Sequence, residues 1–274
     1  MEIFQSIILG IVQGLTEFLP VSSSGHLVVF QKLLALKEHS LIFDIAVHLG
    51  TLLSIFTLYH KPITTIFSSF FKSLKSRSLN EGSYFLMMMV VASVPTAIIG
   101  FSLKDLFEQL FSSLLWVGVF FIVTGIVLKL TQKKSMSSES MSFTDFKDIQ
   151  KISFKQALLI GLAQGAAIAP GISRAGSTIA MGILSGLDRK TAALFSFLIS
   201  VPAILGASLL QFKDVTSWDG DFLTVLLIGG ASSYVSGLFG LWFLLKFVKK
   251  GRLEVFSYYL WLLGLGVVIF HFFS

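Results

Sequence analysis

Three ionisable side chains sit deep inside apolar stretches of this sequence: Glu17, His26 and Arg174. A charge at membrane depth is costly, so each is a functional candidate. Arg174 lies in Pro170-Gly171-Ile172-Ser173-Arg174, two residues before Gly176. A guanidinium is permanently charged and needs an anion there, and its planar fork matches phosphate bidentately. Backbone N–H groups at a helix start can add to such a site. A plainer occupation is an ion pair between Arg174 and Glu17. The two are compatible, because a carboxylate can hold the guanidinium until an anion arrives. Glu17 follows Gln13 by four positions, which puts amide and carboxylate on one helix face. They offer two oxygens to a hard divalent cation such as Mg²⁺, which completes its shell with water and substrate phosphate. The alternative is a Gln13–Glu17 hydrogen bond that packs the helix. Ser22-Ser23-Ser24-Gly25-His26 gathers hydroxyls beside an imidazole, the composition of a nucleophile and its base. Most of these hydroxyls are expected to satisfy backbone opened by a helix break. Asp44 and His48 fall near the outer end of an apolar span and read as interfacial or structural. The whole set suits a phosphate, a divalent metal and a phosphoryl-transfer or hydrolysis reaction. Membrane depth suits a substrate with a lipid tail.

Elements must bring these residues together, and composition says which kind. The chain has 274 residues, 54% hydrophobic and only 13% charged, against about 25% charged in a typical soluble domain. Mean hydropathy is +0.83. There is too little polar surface to cover a soluble core, so the chain reads as a polytopic helical membrane protein. Net charge is +6. In this setting excess Lys marks cytoplasmic loops and does not imply nucleic acid. Without cysteine, disulfides and Cys-ligated zinc are excluded. The start, Met1-Glu2-Ile3-Phe4, has no basic n-region, so no cleaved signal peptide is expected.

Clean apolar spans run at about 41–60, 84–102, 113–130, 192–212, 222–245 and 253–273. Two more apolar segments, about 2–36 and 154–185, are interrupted by Leu19-Pro20-Val21-Ser22-Ser23-Ser24-Gly25-His26 and by Ala169-Pro170-Gly171-Ile172-Ser173-Arg174-Ala175-Gly176. Proline removes a backbone donor and glycine loosens a helix. Irregular backbone survives at membrane depth only where protein or a wet cavity surrounds it. Each segment is therefore read as a re-entrant hairpin. The two resemble each other: Gly10-Ile11-Val12-Gln13-Gly14 matches Gly161-Leu162-Ala163-Gln164-Gly165, and, with a one-residue gap, Pro20 matches Pro170 and Ser23 matches Ser173. This is read as an internal repeat.

Basic residues fall in alternate loops: Lys61, Lys72, Lys75 and Arg77; Lys133, Lys134, Lys147, Lys151 and Lys155; Arg189 and Lys190; Lys246, Lys249, Lys250 and Arg252. The loops between hold little beyond Lys104 and Lys213, the latter beside Asp214, Asp219 and Asp221. Placing the basic set in the cytoplasm works only if both broken segments return to the side they entered from. Three full spans per half then invert the second half. The expected fold is an all-α polytopic membrane protein with an inverted-topology repeat, each half one re-entrant helical hairpin plus three transmembrane helices. The first repeat is 1–130, a flexible cytoplasmic linker is 131–153, and the second repeat is 154–274. The site is expected where the hairpin tips meet. Ser93-Val94-Pro95 and Ser200-Val201-Pro202 are not equivalently placed and read as packing kinks.

The run Gln13-Gly14-Leu15-Thr16-Glu17-Phe18-Leu19-Pro20-Val21-Ser22-Ser23-Ser24-Gly25-His26, with Pro170-Gly171-Ile172-Ser173-Arg174 through Thr178, resembles the undecaprenyl-diphosphate phosphatases of bacteria. The resemblance also covers the length and hydropathy layout. It implies a metal-dependent hydrolase of the cytoplasmic membrane, working toward the outer face, that removes one phosphate from undecaprenyl diphosphate. The product is the monophosphate carrier for cell-wall synthesis, and the activity confers bacitracin resistance. Carried over by motif, Gln13 and Glu17 take the acidic positions and bind the metal, Mg²⁺ or alternatively Ca²⁺. Ser23 and His26 take the hydroxyl–imidazole positions, and Ser173, Arg174 and Thr178 the phosphate positions. Two departures stand out: Gln13 is the amide where the family often has Glu, and Ala175 stands where it usually has Ser. The expected partners are the polyprenyl diphosphate and membrane lipids, with a homodimer allowed and no nucleic acid.

Within this reading Ser23 is the first choice of nucleophile with His26 as its base, and a His26 nucleophile or an activated water stands close behind. A phosphatidic-acid-type phosphatase is rejected, because no His follows Arg174 in Ala175-Gly176-Ser177-Thr178-Ile179-Ala180. A lipid transporter or flippase is the competing class, since inverted repeats with broken helices also build transporters.

Overall fold

The structure, a computed structural model, describes residues 1–34, 36, 41–134, 149–212 and 220–273. Among them, the regular elements are helices: α1 (Ile3–Phe18), α2 (Ser23–Leu33), α3 (Leu41–Leu58), α4 (His60–Ser76), α5 (Glu81–Ser102), α6 (Lys104–Phe111), α7 (Leu114–Leu130), α8 (Phe154–Ala166), α9 (Arg174–Leu184), α10 (Arg189–Phe212), α11 (Gly220–Lys250) and α12 (Val255–Phe273), with a 3₁₀ turn at Thr131–Lys134. Five are long and apolar enough to cross a membrane: α3, α5, α10, α12 and the Leu223–Lys250 part of α11. A sixth span results if α7 is taken with α6, to which it is bent by 102°. The chain is thus a multi-pass helical membrane protein. Large apolar side chains cover its outside, among them Leu209, Leu227 and Leu262, as lipid-facing helices require.

The broken segments are helix pairs too short to span. Helix α1 has 16 residues and α2 has 11; α8 has 13 and α9 has 11. At 1.5 Å per residue none exceeds about 24 Å, short of a hydrocarbon core of about 30 Å. Helix α1 ends where Leu19 turns extended ahead of Pro20. Ser22, at φ +67°, caps α2 by accepting from the Gly25 N–H. Ser173 caps α9 by accepting from the Gly176 N–H. Ser22 and Ser173 thus hold the same N-cap position, each three residues before the glycine whose N–H it accepts, and Ser23 and Arg174 are each the first residue of their helices; the sequence match set Ser23 against Ser173 instead.

The pairing glycines let the short helices approach their partners closely. Helix α1 lies along α11 and α8 along α5. A Cβ on Gly14 would come within 2.0 Å of Ser236 Oγ and 2.4 Å of the Ser233 carbonyl. A Cβ on Gly161 would meet the Ala92 carbonyl at 2.1 Å and the Pro95 ring at 2.6 Å. The two Gly-x-x-Gln-Gly repeats are thus small-residue contact motifs. Helix α7 packs on α12, and α3 on α11.

Two expected loops are helical. The 61–83 segment contains α4, whose Ile63, Ile66, Phe67, Phe70, Phe71 and Leu74 recur at helical spacing opposite lysines. That pattern suits a helix lying in the interface, and a search for uniformly apolar spans passes over it. Lys104 opens the short α6. Most of the expected linker, residues 135–148, and the 213–219 connection with Lys213, Asp214 and Asp219 lie outside the described residues. The end of the linker is docked: Gln150 N–H donates to Thr191 Oγ at 2.9 Å, and Ile152 is buried.

Candidate active site

The two breaks meet in the protein interior. The Gly171 N–H donates to Ser22 Oγ at 3.1 Å. Gly171 itself has φ +97°, where a side chain would also strike the Val117 carbonyl. From α7, Thr124 Oγ donates to the Gly171 carbonyl and accepts from the Ser173 N–H. Ser173 Oγ reaches across to the Leu19 carbonyl. A non-glycine residue at positive φ costs about 1–3 kcal/mol. Ser22 is held there by what its backbone and hydroxyl bind on both sides of the junction.

Glu17, the penultimate residue of α1 and buried, is the hub. Its Oε1 accepts from Arg174 Nη2 at 2.5 Å. Its Oε2 accepts from Gln13 Nε2 at 2.9 Å and from Ser23 Oγ at 2.5 Å. Gln13, Glu17, Ser23 and Arg174, chosen from sequence, are therefore in one cluster. Ser23 and Arg174 are the first residues of two different helices, α2 and α9, and their side chains reach the same carboxylate. Two polar atoms remain without a partner: Gln13 Oε1 and Arg174 Nη1. The Gln13 amide cannot satisfy its oxygen by flipping, since that would turn the oxygen onto the Glu17 carboxylate. The site therefore retains one acceptor that suits a cation and one guanidinium donor that suits an anion.

His26 stands apart from Ser23. Its Nδ1 donates to the Ser22 carbonyl at 2.7 Å, so Nε2 is the acceptor of the Tyr259 hydroxyl at 2.7 Å. The imidazole stacks on Tyr259 and meets the edge of Phe121. Neither ring nitrogen is bonded to the Ser23 hydroxyl, which is turned to Glu17 instead. Ser173 is committed to its cap. Thr178 Oγ donates to the Arg174 carbonyl at 2.7 Å and shares a 2.6 Å hydrogen bond with Ser196. Both hydroxyls thus hold the start of α9 that carries Arg174. Sequence reading passed over Tyr259, Thr124 and Ser196, because each comes from a distant helix and carries no local motif. It also set His48 aside, yet His48 Nε2 lies 3.9 Å from Glu17 Oε2.

Fold and site together define a multi-pass membrane protein with a buried polar centre suited to phosphate chemistry. The profile of the family described as bacitracin resistance protein BacA matches residues 6–266, and the chain belongs to that family. It is 41% identical over 273 residues to an undecaprenyl-diphosphatase of Carboxydothermus hydrogenoformans, covering 98% of this chain and 97% of that one. It is 43% identical over 279 residues to an undecaprenyl-diphosphatase of Desulforapulum autotrophicum, with 98% of each chain covered. An undecaprenyl-diphosphatase of Methanosphaera stadtmanae is 41% identical over 282 residues, again with 98% of each covered.

Proposed function

We propose that the chain hydrolyses undecaprenyl diphosphate to undecaprenyl phosphate and inorganic phosphate, recycling the lipid carrier of cell-wall synthesis and so countering bacitracin. The observation that carries the mechanism is the Ser23–Glu17–Arg174 chain around one buried carboxylate. Ser23 Oγ attacks the terminal phosphorus and its proton passes to Glu17 Oε2. The bond from that phosphorus to the bridging oxygen breaks, and undecaprenyl phosphate leaves with the bridging oxygen. Water then attacks the phosphoserine phosphorus, the bond from phosphorus to Ser23 Oγ breaks, the water's oxygen and protons leave with the phosphate, and Glu17 returns its proton to Ser23 Oγ. Arg174 keeps one nitrogen on Glu17 and turns unpartnered Nη1 to the phosphoryl oxygens, where charge is spread in the transition state. The N-termini of α2 and α9 add their dipoles. His26 orients the tip through Ser22 in this reading. Its Nε2 is covered by Tyr259, which disfavours it as nucleophile.

Gln13 Oε1 and the Glu17 carboxylate fit a divalent cation, Gln13 because its buried oxygen has no other partner. Such an ion, when bound, would neutralise charge between the two phosphates.

The finer architecture is also a proposal. We infer an inverted repeat in the cytoplasmic membrane with the site open to the outer side. The crossed packing, α1 on α11 and α8 on α5, supports two halves that exchange their hairpins. Lys–aromatic contacts at one set of helix ends, Lys129 with Tyr258, Lys151 with Tyr84 and Lys246 with Trp242, support a common cytoplasmic interface.

Detergent micelles have no two sides, so they separate hydrolysis from transport. Purified protein should release phosphate from undecaprenyl diphosphate in micelles with a divalent ion, and chelator should stop it. Glu17→Ala and Ser23→Ala should each lose at least about 10²-fold in rate. Folded protein that binds the diphosphate and releases nothing under any divalent ion would reject the phosphatase and leave a lipid transporter.

A further inference from the structure

His48 lies on α3, outside both broken segments, and its environment asks for a cation. Its Nδ1 donates to the Asp44 carbonyl at 2.7 Å. That fixes the tautomer and leaves Nε2 with its lone pair, 3.9 Å from the carboxylate oxygen Glu17 Oε2. The gap is too long for a hydrogen bond. Two electron-rich atoms that close repel unless positive charge is shared between them. Gln13, hydrogen-bonded through Nε2 to the same Glu17 Oε2, holds a buried amide oxygen with no partner. A metal ion answers both. Metal–ligand bonds of about 2.0–2.2 Å allow two donors up to about 4.2 Å apart. A ligating histidine also ordinarily gives its other N–H to a carbonyl or carboxylate, which Asp44 supplies. Among the described residues no three His, Asp and Glu side chains gather for a metal; here the third donor is an amide oxygen.

We propose that His48 Nε2, Glu17 and Gln13 Oε1 form the metal site, and that it prefers a first-row transition ion over Mg²⁺ or Ca²⁺. With one carboxylate the site is poor in the charge that hard ions need, and an imidazole nitrogen favours Mn²⁺, Co²⁺ or Zn²⁺. Gln13, the amide at a position where a second carboxylate would favour a hard ion, makes the imidazole decisive. The inference rests on the phosphatase reading of the site.

The test is pulsed electron paramagnetic resonance of Mn²⁺ on the full chain in detergent, alone and with methylene diphosphonate. The wild-type echo should carry imidazole-nitrogen modulation, which should change when the histidines are ¹⁵N-labelled. His48→Ala should erase the modulation and weaken Mn²⁺ binding at least about tenfold, the lower end of what even second-shell partners cost. His48→Gln, a milder change, should erase the modulation as well. His26→Ala should keep it. Mg²⁺ should displace Mn²⁺ only at about tenfold or greater excess. Wild-type protein without histidine modulation, or modulation that survives in either His48 variant, overturns the proposal. Phosphate release by an enzyme whose Mn²⁺ shows no histidine would sink the His48 ligand and spare the phosphatase. Modulation from His48 in a protein that hydrolyses nothing would do the reverse.

Discussion

Arg174 and Glu17 form a buried pair, and such pairs respond differently to loss of a charge and loss of a shape. Removing one partner of a buried pair costs about 3–5 kcal/mol of stability, so Arg174→Ala confounds folding with catalysis. Arg174→Lys is the sharper probe. It keeps the charge on Glu17 but has no second nitrogen in a fixed fork for phosphate. We expect folded protein with most turnover lost, measured as phosphate release against the melting temperature. Turnover at the wild-type level would make Arg174 purely structural. Tyr259 offers a second residue-scale test. Its hydroxyl is the donor to His26 Nε2, so Tyr259→Phe keeps the stacking ring and removes one hydrogen bond, worth about 0.5–1.5 kcal/mol. If the imidazole orients the tip, kcat should fall several-fold while KM changes little. An unchanged kcat would free His26 from Tyr259.

At the scale of helices, the site depends on how closely α1 approaches α11. Gly14 lies one turn before Glu17 on α1, and there is no room for a side chain between it and Ser233, Ser236 and Gly237. Gly14→Leu should push α1 off α11 and carry Gln13 and Glu17 with it. The expected result is loss of activity together with a clear drop in melting temperature. The same substitution at Gly266, where a Cβ would meet nothing within 4 Å, should leave both nearly unchanged. Equal effects at the two positions would show that Gly14 is not a packing contact.

Orientation belongs to the whole molecule, and the absence of native cysteine makes it easy to measure. Lys75→Cys, on the basic helix α4, should be labelled by a membrane-impermeant maleimide only from the cytoplasmic side. Ser112→Cys, exposed between α6 and α7, should be labelled only from outside. Labelling of both from one face would break the inverted repeat and the outward-facing site that follows from it.

Composition alone determined that this chain lives in a membrane, because 13% charged residues cannot cover a soluble core. Proline, glycine and misplaced charge were enough to locate both broken segments and to pick Glu17 and Arg174, since each is expensive in an apolar helix unless something repays it; helical spacing added Gln13, and only the family resemblance singled out Ser23 among its neighbouring serines. Local pattern could not say which partner each polar group chooses. Ser23 and His26 are three residues apart and looked like a pair, but the tertiary structure gives the hydroxyl to Glu17 and the imidazole to Tyr259, which is 233 positions away. Likewise His48 looked interfacial on its own span and becomes a neighbour of Glu17 only when α3 packs beside α1. Hydrogen bonds and ion pairs act over about 3–4 Å. The sequence therefore shows which groups must find partners, and only the packing of distant helices decides which partners come within reach.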